Sequence, residues 1–146
     1  MNTYPVEIIA NYDVLIDDTK AKRICKDCTR LVYRIGSNVI KIETDDDGWR
    51  NRFHQCRSEY RKWTKKISVS DRKYFVPILE YKHLDMYDYV IEPFIKMKKG
   101  RASEQIESKI YELCDKYNIN DIIKGIQCNW SISAETGLPV LFDYGL

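Results

Sequence analysis

Four side chains far apart along the chain have the types needed to hold a charged phosphate ligand: Lys41, Glu59, Asn129 and Asp143. Asp143 follows a short apolar run in Leu-Phe-Asp-Tyr-Gly-Leu (141–146) and stands beside Gly145. A carboxylate delivered by a strand end into a glycine turn is a placement that holds a magnesium ion against a nucleotide. Asn129 offers a second oxygen, and Lys41 closes the strand-like run Asn-Val-Ile-Lys. A triphosphate carries several negative charges, so its site needs a lysine fixed by a carboxylate and metal-binding oxygens on a rigid hairpin. Each residue also has a plainer reading: Lys41 with Glu43 as an exposed edge pair, Glu59 as the flank of a surface helix, Asn129 and Asp143 as turn residues.

The elements that must position these groups follow from hydrophobic period and turn chemistry. Leu31, Val32, Tyr33 and Ile35 read as a strand, Gly36-Ser37-Asn38 as a turn, and Val39 to Ile42 as the returning strand that carries Lys41. Asp45-Asp46-Asp47-Gly48 breaks it. Trp49, Phe53, Cys56, Tyr60 and Trp63 then recur at helical spacing, predicting an amphipathic helix over 49–66 with Glu59 on its flank. Two apolar runs, 74–81 and 86–94, read as an antiparallel pair with Pro93 at its end, and His83 falls in the polar stretch between them as a solvated side chain. Lys96 to Gly100 is a basic linker. Ser103 caps a helix bearing Ile106, Ile110, Leu113, Cys114 and Tyr117 on one face and stopping near Asn118. A strand at 131–133, a turn at Glu135-Thr136-Gly137 and a strand at 139–142 complete the chain, while residues 1–19 read equally as strand or helix.

Composition narrows the classes. The 146 residues suffice for one domain with one core, or a small two-lobed body. Hydrophobic residues at 44% and charged residues at 32% exclude a disordered chain. A net charge of +2 gives no reason to expect a nucleic-acid partner, and Lys96-Met97-Lys98-Lys99 reads as a solvated loop. No run approaches the roughly 20 apolar residues that cross a bilayer, and no signal-peptide block opens the chain, so a cytoplasmic protein with no membrane partner is expected. Five cysteines in such a setting fit free thiols. Cys25 and Cys28 form a Cys-x-x-Cys, and with His54 and Cys56 they compose the alternative, a zinc site in a small interaction domain.

In order, the elements are hairpin, strand with lysine, helix with glutamate, two strands, linker, helix, and a hairpin bearing Asn129 and Asp143. This order resembles the protein-kinase-like family. Asn38-Val39-Ile40-Lys41 looks like the strand whose lysine meets the nucleotide phosphates, and Glu59 like the helix glutamate that pairs with it. Val90-Ile91-Glu92-Pro93-Phe94 looks like the strand entering the hinge, where backbone groups of Glu92 and Phe94 would meet an adenine ring. Asn129 and Asp143-Tyr144-Gly145 resemble the two magnesium ligands, with Tyr in the usual place of Phe. The resemblance implies an α+β fold over residues 1–146: a small-lobe antiparallel sheet with one packed helix (about 20–94), then a hinge, one helix and a short β-hairpin (95–146), with most of the large lobe missing. ATP and Mg are its implied cofactors.

The sequence also departs from that family. Cys25, Asp27 and Arg30 stand where the family has the glycines of its phosphate loop, and Asp27 would repel phosphate. Lys124 stands where the family places its catalytic aspartate, leaving Asp121 as a substitute base. The chain stops at Leu146, before any activation segment. The expected function is therefore that of a truncated, catalytically impaired kinase-like protein that binds and modulates another protein, as some bacterial effectors and viral proteins do. The alternative is an active atypical Ser/Thr-type kinase using Mg-ATP.

Overall fold

A computed structural model describes residues 21–25, 30–44, 54–83, 87–119 and 129–145. The expectations that rest on 1–19, Asp27, Cys28, 45–53, Asp121, Lys124 and 127–128 fall outside the described residues. Within them the protein is α+β, with two antiparallel sheets and two α-helices. No described helix is long and apolar enough to cross a membrane.

The larger sheet has five strands: β1 (Ala21–Cys25), β2 (Leu31–Ile35), β3 (Asn38–Thr44), β4 (Glu80–His83) and β5 (Tyr87–Pro93), in the order β1-β2-β3-β5-β4. Gly36 at φ 61° takes the first central position of the two-residue β2–β3 turn, a backbone conformation that costs glycine little. β3 is therefore the central strand, and Lys41 lies opposite Val32 on one side and Val90 on the other. Residues directly opposite share a face. Tyr33, Ile40, Ile42, Tyr89 and Ile91 make one face apolar and buried. The other carries Lys41, Glu43, Asp88 and Glu92, and these are buried too. The exposed-edge reading of Lys41 and Glu43 is thereby corrected: both belong to a central strand whose charged face is covered.

Helix α1 (Gln55–Arg61) covers part of that face. Its first N–H groups lack intrahelical partners, and the buried Glu43 carboxylate accepts from the N–H of Gln55 at 3.0 Å and of Cys56 at 3.4 Å. The helix expected to run as one α-segment to residue 66 instead widens into a π-helical turn at Lys62–Lys66, and a 3-10 turn follows at Val69–Tyr74. Consequently the apolar run from residue 74 becomes strand only at Glu80. Pro77 explains this, because it has no N–H to give a ladder. His83, expected as a solvated side chain in a polar stretch, ends β4 and is 63% exposed, with its Nδ1 2.6 Å from the buried Asp88 carboxylate.

The smaller sheet, in the order β6-β7-β8, comprises β6 (Met97–Lys98), β7 (Trp130–Ser133) and β8 (Pro139–Leu141). The basic linker thus contributes a short strand. Helix α2 (Glu104–Tyr117) has the expected ends: Ser103 Oγ accepts from Ile106 N at 3.3 Å, and Asn118 closes it in the left-handed conformation at φ 56°. Its buried stripe of Ile110, Leu113, Cys114 and Tyr117 joins Phe75, Val90, Trp130, Leu141 and Tyr144 in one core linking both sheets. Phe75 bridges Leu141, and Val76 N–H donates to the Leu141 carbonyl at 2.9 Å, which seats the small sheet below the large one.

Candidate functional site

Between the two sheets lies a cavity of about 330 Å³, at the small end of the range of ligand pockets, about 300–1,000 Å³. Its walls are apolar, with Val32, Val39, Val76, Met97 and Phe142 among them. Its polar groups are Arg30, Lys41, Glu92, Asn129 and Asp143. Apolar walls with a few convergent polar groups are the make-up of a small-molecule pocket.

Each polar group is placed by an identifiable element. Lys41 is held by β3, and its Nζ lies 3.0 Å from Glu92 Oε1 on β5 and 3.9 Å from Glu59 Oε2, while donating to the Phe142 carbonyl. Asn129 precedes β7 at φ 63° and Asp143 follows β8; Phe142 N–H donates to the Asn129 carbonyl at 3.0 Å, so the small hairpin presents both to the cavity. Glu59 is fully buried in α1 and accepts from Tyr144 N–H at 3.1 Å. Phe94 also lines the cavity, with the Arg34 guanidinium 3.7 Å above its ring.

Arg30 was expected only as a residue standing where a phosphate loop has glycine. In the fold it is 3% exposed, just before β2 on the Lys41 face. Nη1 donates to Glu59 Oε1 at 2.5 Å, and Nη2 donates to Glu59 Oε2 at 3.2 Å and to Asp143 Oδ1 at 2.9 Å. Glu59 is thus held principally by Arg30, and the nearer carboxylate to Lys41 is Glu92.

These pairings set the charges. Burial alone pulls the Lys41 amine down, but Glu59 and Glu92 outweigh it and hold its pKa above the ordinary value. Burial pushes the Glu59 carboxyl up, and Arg30 and Lys41 outweigh that, keeping it ionised. Glu92 behaves oppositely: burial, with the Glu59 charge nearby, raises it to about 7 despite Lys41. Two cations accordingly face two firmly ionised or part-exposed carboxylates and one that titrates near neutrality, so the site is close to neutral overall.

No protein-family model matches the chain, and no curated protein matches it significantly.

The structure gathers Lys41, Asn129 and Asp143 around one cavity, with Glu92 and Phe94, and sets Glu59 behind it against Arg30 and Lys41. Sequence reasoning placed Glu92 at a hinge for its backbone and missed that its side chain turns to Lys41; it missed Arg30's ion pairs altogether. The signal for both is strand alternation: Arg30 is two residues from Val32, and Glu92 two from Val90, the residues flanking Lys41. Asp121 and Cys28 lie outside the described residues, as does the side chain of Cys25. Cys56, from the zinc alternative, packs against Arg30 and the Lys41 carbonyl, and burial pushes its thiol up to about 12. Among the described residues no group of three or more His, Cys, Asp or Glu side chains could hold a metal ion.

Proposed function

We propose that this chain is a kinase-like protein that retains a nucleotide cleft, is impaired in phosphoryl transfer, and acts by binding and modulating another protein. The observation that carries the reading is the meeting of Lys41, Asn129 and Asp143 at one apolar-walled cavity, with the buried Glu59 behind them tied to Asp143 through Arg30. The walls would hold the base. Lys41 would meet a phosphate, and Asn129 would face it from the hairpin. Transfer is impaired because the Asp143 carboxylate already neutralises a buried guanidinium, and because Arg30 fills ground where backbone amides would approach the phosphates.

The test is a thermal unfolding series with and without millimolar ATP. A ligand that binds the folded state alone must raise the midpoint, so a rise of a few degrees is expected, absent in Lys41→Met. Radiolabel transfer to the protein or to a generic acceptor should not be detected. No rise in wild type overturns the nucleotide cleft. Transfer that is lost in Asp143→Ala supports the second reading, an active atypical kinase, which the quarter-exposed Asp143 side chain beside Asn129 favours.

A further inference from the structure

Magnesium is the cation that the resemblance assigns to Asn129 and Asp143, and the residues around Asp143 do not fit it. A magnesium ion demands near-octahedral oxygen ligands at about 2.0–2.1 Å and holds its remaining waters tightly. Here Asp143 Oδ1 is 2.9 Å from a guanidinium nitrogen, so a divalent ion on this carboxylate would stand against a fixed positive charge. Swinging Arg30 aside is the remaining option. It is 3% exposed and held by both oxygens of the fully buried Glu59, so its departure would leave that buried carboxylate with the Tyr144 N–H and a lysine at 3.9 Å. A guanidinium is also permanently charged, so a cation stands beside Asp143 at any pH.

We infer that the cleft takes its phosphate-bearing ligand without a divalent cation, the Arg30 guanidinium standing where a metal would otherwise offset the charge. This rests on the nucleotide reading above and adds a property which that reading does not require. Lys41 faces the anionic end of the ligand, and Arg30, whose Nη groups stay on Glu59, Asp143 and Cys56, acts on it through its charge. The Arg30–Asp143 pair persists on binding, so Asp143 serves to orient the guanidinium and makes no contact through a metal.

Calorimetric titration of the full chain with ATP, in EDTA and in millimolar magnesium, tests this directly. Equal dissociation constants within about twofold are expected. A tightening of tenfold or more on adding magnesium overturns the inference and leaves the nucleotide cleft standing, whereas no binding in either arm overturns both. Asp143→Asn provides the second arm: its affinity should fall by the same factor with and without magnesium. A fall confined to the magnesium arm would mean the carboxylate acts through a metal, and the inference fails. Arg30→Met, where it folds by circular dichroism, should convert the site to magnesium-enhanced binding.

Discussion

Glu59 is the carboxylate on which two buried cations depend. It accepts from Arg30 and from Tyr144 N–H and faces Lys41. Removing one partner of a buried ion pair leaves the other uncompensated, a loss of about 3–5 kcal/mol. Glu59→Gln should therefore lower unfolding stability by that order in urea denaturation, and Arg57→Gln, on the exposed side of the same helix, by less than about 0.5 kcal/mol. Unchanged stability in Glu59→Gln would mean that the charged network contributes little. At this scale the sequence singled out Lys41, Glu59, Asn129 and Asp143 by their order along the chain, each alone being a weak mark. It hid Arg30 and Glu92, since what matters there is which strand lies opposite which, and no local pattern states that register. Polar residues alternating along a strand ordinarily imply water on one face; here the covering helix and tail reverse the inference.

Among the elements, α2 was legible from cap to cap: Ser103, the spacing of Ile110, Leu113, Cys114 and Tyr117, and Asn118 all act locally. The 3-10 turn and β6 were not. Their placement depends on contacts across the fold, of which Asp71 gives an example. It accepts from Lys116 Nζ at 2.7 Å and from the Tyr117 hydroxyl at 2.5 Å, fastening the 3-10 turn to the end of α2. Those bonds hold its carboxyl at about 2, below the ordinary 3.8. A depressed acid stabilises the fold above its unfolded pKa, and that contribution disappears as pH falls from about 4 toward 2. With Lys116 half exposed, the amount is about 1 kcal/mol. The midpoint of Asp71→Asn should already be lower at pH 6 and should fall less steeply than wild type through the acid window; parallel curves would refute the assignment.

Tyr144 and Gly145 close the core against α1. Tyr144 donates its hydroxyl to the Val76 carbonyl at 2.8 Å and meets Phe75 edge-on, while Lys62 Nζ donates to the Tyr144 carbonyl at 2.9 Å. Gly145 then passes so near α1 that an added Cβ would stand 2.5 Å from the Gln55 carbonyl oxygen and 3.0 Å from its Cα. Both are backbone atoms and cannot turn away. Gly145→Ala should cost about 1–3 kcal/mol and lower the thermal midpoint by several degrees, though Gly137→Ala, strained at φ 73° yet sterically open, should keep the tail seated. Equal fluorescence of the buried Trp130 in wild type and Gly145→Ala, at equal midpoints, would show that the tail does not press on the helix.

The distances along the chain have a consequence for how the protein is made. Arg30 meets Asp143 across 113 residues, Lys41 meets Phe142 across 101, and Glu59 meets Tyr144 across 85. While the ribosome still holds that tail, these earlier charges have only water and one another, and the charged side of the large sheet cannot dry. The cleft can therefore be assembled only after translation has passed residue 144.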